Sequence, residues 1–252
     1  MPLPPELLAA VTTLLCDADG NLFPSEEPAF EASVGVTNAF LERLGSPRRY
    51  DADELRRMVL GRNFRTLATD LLAEEGLPLE TDELDEWVTR ERVVVTEHLG
   101  RVLAPEDAVR RPLERLAQDW RLALVSSSAL ARLDVCLSRT SLARLFPPEV
   151  RVSAQDSLPR PSSKPDPAVY LAALELLDLP PTQALAVEDA ASGVLSAVGA
   201  GIAVVGNLRF VPAGERSERE RELRDAGAVA VVSDWAELEA LLAPADRVSS
   251  PA

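Results

Sequence analysis

A short apolar run that ends in two carboxylates is the feature of this sequence that most constrains its fold. The run covers residues 11–16 and is followed by Asp17, Asp19 and Gly20. Its length and composition predict a buried β-strand that carries polar groups at its carboxyl end, and Gly20 predicts a sharp turn there. Two neighbouring carboxylates repel each other unless a cation lies between them or one takes up a proton. The pattern favours an acidic functional site, although a strand followed by an Asp-Gly turn also accounts for it.

Short apolar segments alternate with helical segments through the later part of the chain. Further strands are predicted at residues 122–125, 150–152, 184–187, 202–205 and 229–232. Asp166 as N-cap and Pro167 as the first helical residue are expected to open a helix over 168–177. Strands separated by helices indicate a parallel sheet covered on both faces. We therefore predict an α/β fold with a doubly wound, Rossmann-like parallel sheet.

A block with helical periodicity and no convincing strand separates the first strand from the alternating region. Its apolar residues recur at helical spacing, and Gly45 and Gly76 end two of the runs. This pattern predicts a small helical bundle inserted after the first strand. We therefore expect an α/β core of residues 1–25 and 99–243, an inserted helical domain of residues 26–98, and a disordered tail of residues 244–252.

The net charge and the cysteines of the sequence indicate which partners are excluded and where in the cell the protein is expected. The formal net charge of −15 argues against nucleic acid and anionic membranes as partners, because both need a positive protein surface. Cys16 and Cys136 are predicted to be reduced and buried. The N-terminus has no basic region typical of a signal peptide, and no stretch approaches the apolar length of a membrane span. We expect a cytoplasmic protein without a membrane partner, and a monomer by default.

Polar residues that could carry chemistry are predicted at the carboxyl edge of the sheet, where open α/β sheets bind their ligands. They are Asp17 and Asp19, Ser126 and Ser127, Lys164, and Glu188 and Asp189. Carboxylate oxygens of this kind suit Mg²⁺. A metal ion, a lysine and hydroxyl or backbone donors would together neutralise and orient a phosphoryl group.

Within such a site the two carboxylates of the first motif could have different roles. Asp17 could act as a nucleophile through an aspartyl-phosphate, and Asp19 could protonate the leaving oxygen and later deprotonate water. Structural interpretations also exist: Ser126 as a turn residue, Lys164 as a surface residue, and the pair 188–189 as acidic residues favoured by a helix dipole. The placement of all these groups at strand or loop ends favours the catalytic interpretation.

These motifs and their order resemble the haloacid dehalogenase-like hydrolase superfamily. The similar branch contains β-phosphoglucomutase-like proteins and sugar-phosphate phosphatases with a helical cap after the first motif. The matching segments are Asp17-Ala18-Asp19-Gly20, Leu124-Val125-Ser126, Lys164-Pro165 and Glu188-Asp189-Ala190-Ala191-Ser192-Gly193. The resemblance implies that Asp17 is the nucleophile and Asp19 the general acid and base. It also implies phosphate binding by Ser126, Ser127 and Lys164, and Mg²⁺ binding by Asp17, the Asp19 carbonyl, Glu188 and Asp189.

Two departures from the superfamily patterns bear on the reaction. The mutase has a histidine twelve residues after its nucleophile, where this chain has Ala29, and the single histidine, His98, is predicted to be structural. This favours hydrolysis over a phosphomutase reaction, which remains the alternative. Dehalogenases lack the second aspartate of the first motif, so Asp19 argues against their chemistry. A catalytically idle binding protein on the same fold would be expected to have lost a motif residue, and none is lost.

A loop between two cap helices is the predicted source of substrate choice. Its candidate residues are Gly61, Arg62, Asn63 and Arg65. The arginines could bind a carboxylate or a second phosphate through bidentate contacts, or they could be solvated helix residues. The resulting expectation is a small phosphorylated substrate, such as a phosphosugar or a phosphosugar acid.

Overall fold

Six short strands form one fully parallel sheet in the computed structural model, which describes residues 3–59, 64–76 and 80–243. The strands are β1 (Thr13–Cys16), β2 (Arg121–Ser126), β3 (Arg151–Ser153), β4 (Ala184–Glu188), β5 (Ala203–Asn207) and β6 (Ala230–Val232). Their order across the sheet is β3-β2-β1-β4-β5-β6, and all neighbouring strands are parallel. The predicted α/β fold with a doubly wound, Rossmann-like sheet is confirmed.

Eleven α-helices lie within the described ranges. They are α1 (Pro5–Ala10), α2 (Glu26–Arg43), α3 (Ala52–Val59), α4 (Phe64–Glu75), α5 (Thr81–Val102), α6 (Asp107–Leu116), α7 (Leu130–Arg139), α8 (Ala168–Leu177), α9 (Ala191–Gly199), α10 (Arg216–Asp225) and α11 (Trp235–Leu242). None of them has the length and apolar character that a membrane span requires. The chain divides into two compact units: Met1–Pro24 with Ala104–Ala252, and Ser25–Leu103.

The first unit contains the sheet, whose central strands are buried on both faces. Every residue of β1 and of β4 is buried, as expected for parallel strands that helices cover on both sides. One core cluster joins Leu15, Ala123 and Ala186 of the sheet to residues of α8 and α9, such as Tyr170 and Val194. The small alanine side chains at the sheet centre leave room for the larger residues of the covering helices.

The second unit is helical over its described residues and has its own core. Phe40 of α2 makes edge-to-face contacts with Phe64 of α4, at 6.2 Å between ring centroids, and with Trp87 of α5, at 5.6 Å. These contacts are typical of stabilising aromatic pairs. The sequence patterns predicted three of its helices but not α3, in which Leu55 is fully buried among mostly charged neighbours.

Helix α8 covers the predicted residues, but its cap differs in one detail from the predicted one. The helix begins at Ala168, and Pro167 occupies the capping position before it, with φ −70° and ψ −9°. The Asp166 carboxylate accepts the N–H of Ala168 at 2.9 Å. The predicted range of the helix is therefore confirmed, and the Asp166 side chain bonds to its first N–H group, but Pro167 lies in the capping position and not at the first helical position.

Candidate active site

The register of the sheet brings the sequence-predicted carboxylates to one edge. Cys16 of β1 is level with Leu124 of β2 and with Val187 of β4. Asp17, directly after β1, and Glu188, the last residue of β4, therefore lie side by side at this edge. The backbone N–H of Asp17 donates to the carbonyl of Val187 at 3.0 Å, which continues the ladder to this point.

Lys164 lies between the carboxylates of Asp17 and Glu188. Its ammonium donates to Asp17 Oδ1, to Glu188 Oε1 at 2.7 Å and to the carbonyl of Val125 at 2.9 Å. The side chains of all three charged residues are at least nine-tenths buried. Lys164 is also the only lysine in the 252 residues of this sequence. A single ammonium thus holds together two acidic strand ends that would otherwise repel each other.

The electrostatics of the cluster follow from burial and crowding. Burial raises the pKa of the Asp17 carboxyl to about 8; Lys164 opposes this effect, whereas Glu188 and Asp19 add to it. Burial lowers the pKa of the Lys164 ammonium, but Asp17 and Glu188 outweigh it and leave that pKa above its usual value. The site therefore holds its negative charges unfavourably and would gain from a further cation.

A group of three carboxylates fits a divalent metal ion. One oxygen each from Asp17, Glu188 and Asp189 lies within 4.8 Å of the others, and all three residues are buried. Gly20 has φ +76°, and a Cβ at its position would overlap the carboxylate of Asp189. The donor set consists of hard oxygen atoms, which suits Mg²⁺. The Asp19 carboxylate is not part of this group, so any contribution of Asp19 to a metal would come from its carbonyl.

The Asp19 side chain is held by residues of the β2–α7 region instead. Its Oδ2 accepts a hydrogen bond from Ser128 Oγ at 2.6 Å, and its Oδ1 accepts one from Arg132 Nη2 at 2.9 Å. The side chains of Asp19 and Arg132 are each 22% exposed. Neither Ser128 nor Arg132 was predicted as a site residue, although Ser128 directly follows the predicted serines and Arg132 lies in the helix that begins soon after it.

The two predicted phosphate-binding serines lie at the end of β2. Ser126 is buried, and its Oγ accepts the N–H of Ser128 at 3.0 Å. Ser127 Oγ accepts the backbone N–H of Lys164 at 3.1 Å. The end of β2 is thus bonded directly to Lys164, which in turn contacts Asp17.

Asn21 is a further site residue that the sequence analysis missed. Its buried amide donates to the carbonyls of Asp17, at 3.1 Å, and Val187, at 3.0 Å, and its Oδ1 accepts from Asn207 at 2.8 Å. The carbonyl of Asn21 accepts the indole N–H of Trp235 at 3.0 Å. This network connects the ends of β1, β4 and β5 behind the carboxylates. An asparagine one residue after a turn glycine is typical of a solvated turn, so the sequence carried no signal for it.

Tyr170 and Gly193 hold Glu188 in place from two helices. The Tyr170 hydroxyl donates to Glu188 Oε1, and its ring lies 5.3 Å from Lys164 Nζ. Burial, followed by Glu188 and Asp17, raises the pKa of Tyr170 well above its usual value, so the hydroxyl keeps its proton. A Cβ on Gly193 would overlap the Glu188 carboxylate, so a glycine is needed at the start of α9.

The predicted specificity residues belong to the second unit. Gly61, Arg62 and Asn63 lie outside the described residues. Arg65 lies in the first turn of α4, and its guanidinium pairs with Asp85 of α5. In the first unit, Arg219 of helix α10 donates to the carbonyl of Asp189 at 3.0 Å. The mixed-charge sequence of α10 predicted only a solvated helix and gave no sign of this contact.

Comparisons with known proteins identify the family of this chain and some of its relatives. The family model of the haloacid dehalogenase-like hydrolases matches residues 11–201. A phosphorylated carbohydrates phosphatase from Thermotoga maritima is 30% identical over 227 residues, which cover 87% of this chain and 93% of the relative. Hexitol phosphatase A from Escherichia coli is 33% identical over 127 residues, 50% of this chain and 55% of the relative, so that match spans about half of each protein.

A solved structure shows the same likeness over nearly the whole chain. It is a conserved haloacid dehalogenase-like protein from Agrobacterium tumefaciens, with a TM-score of 0.69 and 26% identity over 92% of this chain and 97% of the other. The family match covers the strands and loops that carry Asp17, Lys164 and Glu188. This chain belongs to the haloacid dehalogenase-like hydrolase family.

Proposed function

We propose that this chain is a Mg²⁺-dependent phosphatase that hydrolyses a small phosphorylated carbohydrate through a phosphoryl group carried on Asp17. The main support for the proposal is the pair of ionic contacts that Lys164 makes with Asp17 and Glu188 at the carboxyl edge of the sheet. A buried ammonium beside a buried carboxylate suits a site in which a phosphate ester must meet an anionic nucleophile. The names of the relatives from T. maritima and E. coli support a phosphorylated carbohydrate as the substrate class.

The positions of the side chains support the following roles. Asp17 attacks phosphorus, the bond from phosphorus to the ester oxygen breaks, and Asp19 gives that oxygen a proton. Water then attacks the phosphoryl group, Asp19 takes the proton from the water, and the Asp17 carboxylate is released. The Lys164 ammonium offsets the negative charge of the phosphoryl oxygens, and Ser126 and Ser127 help to orient them through hydrogen bonds.

The acidic group formed by Asp17, Glu188 and Asp189, with the Asp19 carbonyl, would hold the Mg²⁺ ion. Bound Mg²⁺ supplies positive charge that offsets the charge of the transferring group. The buried, crowded carboxylates support this assignment, because a divalent cation among them would offset their mutual repulsion.

The test is phosphate release from a panel of phosphosugars and phosphosugar acids, with Mg²⁺ and with a chelator. We expect activity only with Mg²⁺, and a loss of roughly 10³-fold or more in the Asp17→Asn variant, because the nucleophile is removed. The matched control is Asp178→Asn: Asp178 is exposed, and its φ of 53° is a conformation that asparagine accepts. This control should keep full activity.

Three outcomes would contradict parts of the proposal. An active Asp17→Asn variant would exclude the covalent route. Conversion of one sugar phosphate into its isomer without net phosphate release would favour a phosphomutase, against which Ala29 stands. Absence of any reaction across the panel would favour a binding protein on the same fold.

A further inference from the structure

The position of the Asp19 carboxylate separates it from the other acidic groups of the site. Asp17, Glu188 and Asp189 bring their oxygens together, whereas both oxygens of Asp19 are bonded to Ser128 and Arg132. A carboxylate two residues from the nucleophile could otherwise turn toward the same cation. Something in the chain must therefore keep it apart, if it is to serve in proton transfer.

We propose that Arg132, together with Ser128, is a positioning pair that holds the Asp19 carboxylate outside the acidic group and reserves it for proton transfer to the leaving oxygen and from water. The inference rests on the proposed phosphatase function, and it adds a residue whose role neither the motifs nor the comparisons assign. Arg132 acts through Asp19, so it is a positioning residue and not a catalytic one.

The two contacts restrain the carboxylate at both oxygens. A single hydrogen bond leaves a side-chain carboxylate free to rotate, whereas a donor on each oxygen fixes the plane of the group. The Ser128 donor comes from the loop that leads into α7, and the Arg132 donor comes from the first turn of that helix. Both donors therefore come from one short segment at the start of α7.

The start of α7 is itself fastened to the neighbouring strand. Ser153, the last residue of β3, donates from its hydroxyl to the carbonyl of Ser128 at 2.8 Å, and Asp156 accepts the N–H of Leu130 at 2.6 Å. Arg151 of β3 pairs with Asp134 of α7. The platform that holds Asp19 is thus set by the fold and not by a flexible surface loop.

Charge gives the pair a second effect on substrate binding. The site brings together four carboxylates, those of Asp17, Asp19, Glu188 and Asp189, and a phosphate monoester adds further negative charge. Without a partner, the charge of Asp19 would repel the incoming ester. The Arg132 guanidinium, which stays protonated at any working pH, offsets that charge at short range.

The test compares Arg132→Met with Asp19→Asn and with the double variant. The readout is kcat/KM for an alkyl sugar phosphate and for 4-nitrophenyl phosphate, whose leaving group departs without a proton. Positioned acid catalysis contributes about 10²- to 10⁴-fold, and misplacement of a catalytic group can cost about 10²-fold. We expect Arg132→Met to lower kcat/KM by roughly 10- to 100-fold for the alkyl ester, because acid catalysis is misplaced. For the aryl ester only the loss of the Arg132 charge should matter, and for this partly exposed pair we expect it to cost less than about threefold.

The double variant and two controls distinguish positioning from a general structural effect. In the Asp19→Asn background, Arg132→Met should have no further effect, because its target is already disabled. Arg132→Lys should recover part of the loss. Arg209→Met removes a comparable pair, Arg209 Nη2 with Glu106 Oε2 at 2.8 Å, and should leave the ratio of the two substrates unchanged. The rise in melting temperature on adding Mg²⁺ should persist in Arg132→Met.

Several results would overturn the inference. These are undiminished activity of Arg132→Met, equal losses on both substrates, losses that multiply with those of Asp19→Asn, or a lost Mg²⁺ effect on the melting temperature. If the wild-type protein hydrolyses neither ester, the proposed function fails and the inference falls with it. If the wild-type protein is active and any one of the first four results is found, the inference fails but the proposed function stands.

Discussion

Lys164 is the residue on which the electrostatics of the site depend. Its ammonium is buried and makes hydrogen bonds to Asp17, Glu188 and a backbone carbonyl. A buried ion pair of this kind adds little net stability over an apolar replacement, but removal of one partner leaves an uncompensated charge that costs about 3–5 kcal/mol. The arrangement is therefore better explained by its chemistry than by any contribution to folding.

The single lysine makes this residue directly observable. In protein labelled with ¹³C at lysine Cε, one lysine signal should be seen, and it should stay that of the charged ammonium at pH 10.5, the ordinary pKa of lysine. Burial alone would lower the pKa, but Asp17 and Glu188 raise it above that value. The measurement is the pH dependence of the Cε chemical shift in metal-free buffer.

A matched pair of variants completes the titration. Asp17→Asn removes one of the two charges that raise the pKa of Lys164, so the pKa should fall in that variant, and Asp178→Asn should leave it unchanged. A Lys164 signal that titrates at or below pH 10.5 in the wild-type protein would show that the ammonium is not held by the two carboxylates.

At the scale of elements, the site is built where strands end and helices begin. Asp17 and Glu188 leave adjacent strands at the same level, and α8 and α9 bring Tyr170 and Gly193 against Glu188. Because parallel strands share one carboxyl edge, residues distant in sequence meet without any special loop. The geometry of the site is therefore largely a consequence of the sheet.

Because the site depends on the sheet, the sequence alone predicts its strands but not all of its contacts. The predicted strands at 184–187 and 202–205 match β4 and β5 to within two residues at each end, because apolar runs bounded by polar residues define buried strands. Asn21 and Arg132 were missed because their roles depend on neighbours distant in the chain. The local sequence pattern describes Asn21 as a turn residue and Arg132 as a residue on a helix surface. It cannot show that Asn21 bonds to Val187 or that Arg132 bonds to Asp19.

Gly193 offers a test at this scale, with Gly35 as its control. Both glycines lie in helices, but a Cβ on Gly193 would overlap the Glu188 carboxylate, whereas nothing lies within 4 Å of a Cβ on Gly35. Gly35→Ala should raise stability by about 0.5–1 kcal/mol, the usual gain for a helical site. Gly193→Ala should lower it by about 1–3 kcal/mol, as overpacking does.

Activity separates these two variants more sharply than stability. Gly193→Ala should lower phosphate release by roughly 10-fold or more, because Glu188 must move away from Lys164, and Gly35→Ala should leave it unchanged. Thermal unfolding and steady-state kinetics on the two variants provide the measurement. Full activity in Gly193→Ala would mean that the position of Glu188 is not critical for the reaction.

At the scale of the whole molecule, the two compact units have separate cores. The large core cluster around the sheet is formed by residues of the first unit, and the cluster around Phe40 and Leu41 is formed by residues of the second. The residues proposed as nucleophile, as general acid and base, and as ligands of phosphate and metal all belong to the first unit. The chemistry and the choice of substrate are therefore expected to be separable.

Excision of residues 25–103 tests that separation. With Pro24 joined to Ala104 through a flexible Gly/Ser linker of about ten residues, the first unit should keep its folded sheet, because it retains its own hydrophobic core. It should still show a Mg²⁺-dependent rise in melting temperature and slow hydrolysis of 4-nitrophenyl phosphate, since these require only residues of this unit. Its kcat/KM values should differ little between sugar phosphates, because the predicted specificity residues at 61–63 and 65 are removed. Circular dichroism, melting curves and a substrate panel measure these properties. An excised protein that folds but still prefers one sugar phosphate would place substrate choice within the first unit. An excised protein that cannot fold would show that the sheet depends on the helical unit.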